Sequence, residues 1–140
     1  MNKNTLFKIL IFSDSVEVTG LGGQLEEKYP VAAIKKPQKT LIMLKVRESA
    51  KNTLFYAGEA LACECTVRIG GSRGYAASLG DDLKKVYSMA VIDAALNAGL
   101  PECELIMKTL REWESAIGEK HAAESRLTMS TKVNFNVMEE

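Results

Sequence analysis

Residues 59–69 alternate without interruption. Leu61, Cys63, Cys65, Val67 and Ile69 fall on one side, and Ala60, Ala62, Glu64, Thr66 and Arg68 on the other. A period of two is the signature of a β-strand with one buried face and one wetter face. Gly70, Gly71 and Ser72 follow at once, and residues 74–79 run back as the partner of a hairpin. A chain built around this unit has to form an antiparallel sheet and cover one side of it.

The flanking segments supply the cover. Residues 4–12 predict a short amphipathic helix with Leu6, Ile9 and Leu10 on one side. Ser13 and Asp14 are N-cap residues for a second helical piece reaching about Glu27. The glycines at 20, 22 and 23 predict a break or kink in it, and Pro30 closes the region. Residues 31–36 form a short strand candidate ended by Pro37. Residues 40–47, TLIMLKVR, are apolar on both faces before Lys45, which predicts a central strand. SAKNT at 49–53 is a turn.

Beyond the hairpin, Asp81 and Asp82 open a helix, where the N-terminal partial positive charge favours carboxylates. Leu83, Val86, Tyr87, Ala90, Val91, Ala94 and Ala98 recur at helical spacing, and Gly99 is a natural C-terminal cap. Pro101 starts the last helix, with Cys103, Ile106, Leu110, Trp113 and Ile117 on one side. After Gly118 the chain becomes polar, and this stretch either extends the helix or orders only on a partner. KVNFNVMEE at the end alternates like a strand at 133, 135 and 137. The expected class is α+β: an antiparallel sheet of four to five strands flanked by N-terminal and C-terminal helices, as a single domain over 1–140.

The chemistry is sparse. With 18 basic and 18 acidic residues the formal net charge is zero, and no nucleic-acid partner is expected. Lys35, Lys36 and Lys39 around Pro37 read as a solvated turn in preference to a phosphate clamp. The apolar run from Leu6 to Phe12 is too short to span a bilayer, and no secretory signal or membrane association is expected. Three cysteines argue against a closed disulfide framework and for a reduced, cytoplasmic setting. Cys63 and Cys65 share a strand face with Leu61 and Val67, so they read as core residues, not zinc ligands. The single histidine, His121, lies in a polar stretch and reads as a surface residue.

TGLGGQ at 19–24 does not follow a strand, and IGGSRG at 69–74 joins two strands without opening a helix. Neither meets the context of a phosphate-binding loop. Candidate contacts for a partner or a phosphate are Arg68, Arg73, Tyr75, Asp81 and Asp82. Helix capping is the simpler role for the two aspartates, and strand solvation for Glu59 and Glu64. No catalytic residue, cofactor or metal site is assigned. A self-sufficient active site is not assembled by these residues, which favours a binding subunit over an enzyme acting alone.

The run FYAGEALACECTVRIGGSRGYAASLGDDLKKVYSMAVIDAALNAGLPE, residues 55–102, resembles the PhnG family of phosphonate carbon–phosphorus lyase proteins. The likeness lies in an ordered set of features. These are Phe55, Tyr56, Gly58 and Glu59, then a strand ending in Val67, Arg68 and Ile69. Next come the glycine hairpin, Gly80 with Asp81 and Asp82, and an alanine-rich helix with the internal Asp93. Pro37 to Val46 upstream and Val133 to Phe135 downstream extend it. Some relatives carry Arg–Asp in place of Asp81–Asp82 and a histidine in place of Tyr75.

The resemblance implies a subunit assembling with PhnH, PhnI and PhnJ. With PhnH, PhnI and PhnL it would be required to displace adenine from ATP with a phosphonate, giving a ribose 1-phosphonate 5-triphosphate. PhnI would carry the nucleosidase chemistry and PhnJ, with its iron–sulfur cluster, the later C–P cleavage; the family brings no catalytic residue to this chain. Aromatic anchors for partners would come from Phe55, Tyr56, Tyr75, Tyr87 and Trp113. The isolated chain is expected to be able to self-associate through the same patch. The alternatives are a small homo-oligomeric enzyme acting on phosphate compounds through Arg68 and Arg73, and a ligand-binding module for a phosphate ester.

Overall fold

A computed structural model describes residues 1–133. The described elements are α1 (Lys3–Phe12), α2 (Ser15–Lys28), β1 (Val31–Arg47), β2 (Leu54–Ile69), β3 (Ser72–Leu79), α3 (Leu83–Ala98) and α4 (Cys103–Ser130). The class is α+β. Among the described residues the sheet has three antiparallel strands in the order β1–β2–β3, so β2 is central and the other two are edges.

Among the described residues that is three strands where four to five were expected. Residues 31–36 and 40–47 belong to one strand, β1, which passes through Pro37. Proline has no N–H to give to a ladder and survives on an edge strand or in a bulge. Here it has both, because the β1–β2 register shifts between Lys35 and Gln38. Residues 40–47 are therefore on an edge, not in the centre. The alternation expected at 133–137 lies, beyond Val133, outside the described residues.

The β2–β3 turn is as tight as the sequence implies. Ile69 pairs with Ser72, and Gly70 takes φ +58°, a conformation open to glycine at little cost. Cys63, Cys65, Val67 and Ile69 are buried together. Leu61, on the same side, is 44% exposed because the strand has by then run past the helices.

The centre of the molecule is α3. It lies across all three strands, with α2 packed on its other side. Every residue from Ser88 to Ala95 is buried, so the helix is enclosed on nearly all sides instead of showing one stripe. Small residues make this possible. A Cβ on Gly74 of β3 would lie 2.8 Å from Ala94 Cα and collide with the Ala90 carbonyl. A Cβ on Gly22 of α2 would lie 2.5 Å from Ser88 Cβ. The glycines of α2 therefore mark a close helix–helix approach, and the helix runs on from Ser15 to Lys28 where a break was expected.

The helix ends follow local chemistry. Asp14 and Asp82 cap α2 and α3 through their side chains, and Gly99 closes α3 in the left-handed conformation at φ 64°. Leu6, Ile9 and Leu10 of α1 are buried, and α1 packs on α4. α4 continues through Gly118 to Ser130, with Ile106 and Leu110 as its buried residues.

Candidate functional site

The sequence candidates separate into two groups. Arg68 and Arg73 are direct cross-strand partners beside the β2–β3 turn, and both are exposed. Tyr75 pairs with Thr66 and is 49% exposed. By alternation Arg73 and Tyr75 share a face of β3, opposite Gly74, which meets α3. Neither arginine forms an ion pair among the described residues. Two cations directly opposite each other repel, so the pair is disposed to accept an anion.

Asp81 and Asp82 lie beyond the far end of β3. Asp82 accepts from the Ser15 hydroxyl and from the Lys85 backbone N–H at 3.0 Å. These bonds hold its carboxyl below the ordinary aspartate value. Lys85 in turn donates to the carbonyls of Ile11 and Ser13 at 2.7 Å each. Asp82 thus ties α3 to α2, and the structure does not bring it to the arginines.

Glu64 is bound by Lys35 and Gln38, and the Lys35 ammonium lowers its pKa first among the causes. Lys35, Lys36 and Lys39 stand on β1, not in a turn. Cys63 Sγ donates to Gly80 O at 3.2 Å, and Cys65 Sγ donates to Lys35 O at 3.4 Å. Burial pushes the Cys65 thiol up to about 11, the opposite of a reactive or metal-binding thiol. Among the described residues no group of three or more His, Cys, Asp or Glu could hold a metal ion. His121 is exposed and meets Phe12 edge-on, ring centroids 5.4 Å apart.

A groove of about 550 Å³ lies between α2, the β1 bulge and α3, and Lys36, Pro37, Leu83, Lys84 and Tyr87 help to line it. Tyr87 is half-buried there and donates to Glu26. Burial and that carboxylate raise its pKa. Trp113 packs against the core. Of the five aromatic anchors, Phe55, Tyr56 and Tyr75 are the exposed ones.

Two features were not assigned a role from sequence. One is Asp93, 3% exposed within α3. Its Oδ2 accepts from the Tyr75 backbone N–H at 3.1 Å and from Asn97 Nδ2 at 3.2 Å, and Lys3 Nζ stands 3.2 Å from Oδ1. A carboxylate inside an alanine-rich apolar run was the available signal. The other is the outer half of the β1–β2 ribbon, of which only Phe55 and Tyr56 were singled out, as anchors for partners. Leu41, Met43, Val46, Phe55, Tyr56 and Leu61 are each between 42% and 61% exposed there. Leu41 pairs with Leu61, and Val46 with Phe55. By this pairing Leu41, Met43, Tyr56 and Leu61 share one face of the ribbon and Val46 with Phe55 the other, and exposed apolar side chains gathered in this way mark a surface that meets something. No helix among the described residues is long and apolar enough to cross a membrane.

A family model described as phosphonate metabolism protein PhnG matches residues 1–139. No curated protein matches the chain.

Proposed function

Because the chain belongs to the PhnG family of phosphonate metabolism proteins, we propose that it is a non-catalytic or accessory subunit of the carbon–phosphorus lyase core complex, one domain over 1–140, acting in the cytoplasm. In this reading it assembles with PhnI, PhnH and PhnJ. With PhnH, PhnI and PhnL it is required for transfer of the ribose triphosphate moiety of ATP to a phosphonate. Its contribution is surface, not reactive groups.

The observation that carries the reading is the apolar ribbon. Phe55, Tyr56, Leu41, Met43 and Leu61 are exposed on strands that extend past the helices. Such side chains dominate the energetics of interfaces when another protein covers them. The experiment is co-expression with PhnI, PhnH and PhnJ. A stable co-purifying complex is the expected result. Turnover of ATP or a phosphonate by this chain alone, at an enzyme-like rate, would overturn it.

A second reading has one specific observation in its favour. The exposed Arg68–Arg73 pair, with Tyr75 beside it, suits a phosphate or carboxylate. Within the assembly this pair is our candidate contact for such a group, with Asp81 and Asp82 as the weaker pair of contacts. Calorimetry with a phosphate ester on the isolated chain tests it, and loss of heat in Arg73→Ala assigns it.

A further inference from the structure

We propose that the outer edge of β1, from Lys39 to Arg47, is completed by an extended segment of another protein chain. That segment would join the sheet as an added strand and carry carboxylates opposite Lys39 and Lys45. This rests on the subunit reading and specifies how the subunit docks.

The argument begins with the direction of backbone groups. Gly80 N–H donates to the Leu61 carbonyl at 2.9 Å, so the polar backbone atoms of Leu61 turn towards β3. Leu61 is paired with Leu41. The N–H and C=O of Leu41 therefore point away from β2, and by alternation so do those of Lys39 and Met43. Thr40, Ile42 and Leu44 hold the ladder.

Two other stretches of sheet edge carry a guard. On β3, the outward N–H of Tyr75 is bound by Asp93, and the outward carbonyl of Arg73 accepts from Asn97 Nδ2 at 2.7 Å. Two side chains of α3 thus take the place of a neighbouring strand. The first half of β1 is broken by register shifts at Ala33/Lys35 and Lys35/Gln38, around Pro37. Bulges and proline are the ordinary means of blocking edge-to-edge pairing. From Gln38 to Arg47 these devices stop. The shift at Leu44/Lys45 places its extra residue, Ala57, on β2, so β1 itself runs on regularly. Among the described residues nothing covers this edge, and Leu41 to Arg47 are all exposed.

Charge selects the occupant. Lys39, Leu41, Met43, Lys45 and Arg47 share one face of this stretch, no acidic residue occurs between 39 and 47, and the other face shows Thr40, Ile42, Leu44 and Val46. A second copy would bring three more cations to the same line, and lysines on an edge discourage self-pairing. A foreign strand with apolar residues on one face, and on the other apolar residues flanked by carboxylates spaced as Lys39 and Lys45 are, is complementary on both faces. Strand addition supplies main-chain hydrogen bonds for affinity and alternate side chains for specificity.

The test uses the full chain co-expressed with the lyase subunits named above. Met43→Pro removes only an outward N–H and adds a ring against an incoming strand, so the isolated variant keeps its circular dichroism. We expect its binding to weaken about tenfold or more, with Met43→Ala little changed. A double variant, Lys39→Glu with Lys45→Glu, is expected to weaken binding as well. Amide exchange on the native protein needs no variant: Leu41 and Met43 are expected to become protected in the complex, while Ile42 and Leu44 are protected already. Native-strength assembly by Met43→Pro, with unchanged exchange at Leu41 and Met43, overturns strand addition and leaves the subunit reading standing. Failure of the native chain to co-purify with any subunit overturns both. A dimer of the isolated chain that Met43→Pro dissolves would make the occupant a second copy and overturn the assignment made here.

Discussion

The Asp93 carboxylate, inside α3, accepts the backbone N–H of Tyr75 on β3 at 3.1 Å. Four residues on, Asn97 donates to the Arg73 carbonyl at 2.7 Å. One turn of helix therefore binds the donor and the acceptor that the edge strand turns outward. Asp93→Ala leaves that N–H without its partner beside a packed helix. The expected loss is about 1–3 kcal/mol in urea unfolding. Asp93→Asn keeps an acceptor and is expected to lose less. Equal losses for the two variants would contradict the edge-capping role.

The glycines of α2 and β3 divide by what surrounds them. Gly74→Ala and Gly22→Ala each drive a methyl into α3, and a destabilisation of about 1–3 kcal/mol or more is expected for each. Gly20 has open space around it within the same helix as Gly22. Gly20→Ala is expected to stabilise by about 1 kcal/mol through helix propensity alone. Thermal melting of the three variants checks the opposite signs.

Cysteine reactivity should follow burial. Cys65 is 0% exposed with its thiol raised to about 11 by burial, and Cys63 is raised by the same cause. At pH 8 about one Cys65 in a thousand would be thiolate even if a reagent could reach it. Cys103 is only part-buried. Iodoacetamide on the folded chain is expected to label Cys103 alone, and all three cysteines after denaturation. Mass spectrometry of the labelled peptides decides it.

The Asp82 cap gives a pH dependence of defined sign. Its folded pKa lies below 3.8, owing first to the Ser15 hydroxyl and then to the Lys85 N–H. A depressed carboxylate stabilises fully above the unfolded value, and the stabilisation is lost as pH falls through the folded value. Asp82→Ala is expected to cost about 1 kcal/mol near neutrality. The gap between the variant and the native chain should shrink as pH falls below 3.8. A gap that grows on acidification would reverse the assignment.

Much of the fold was legible because it is written in short-range terms. The buried set from Cys63 to Ile69, the turn at Gly70, the Asp14 and Asp82 caps and the Gly99 stop each depend on a few neighbouring residues. The candidate site was legible in part. Arg68, Arg73 and Tyr75 do gather beside one turn, because a hairpin sets their register locally. Asp82 was credited with its cap, but its bond to Ser15, 67 residues away, was not foreseeable. Asp93 appeared only as a polar residue in an apolar helix, since the Tyr75 amide it serves comes from another element.

What the sequence determined by itself was periodicity, that is, which residues share a side of a strand or helix, together with the caps at which several helices start and stop. It did not determine what stands on that side. The apolar stretch 40–47 suits a buried central strand equally well, and only the strand order made it an exposed edge. Gly22 looked like a helix breaker until Ser88 was found where its side chain would be. The physical reason is that backbone geometry repeats over two to four residues, whereas burial depends on elements brought together from distant parts of the chain.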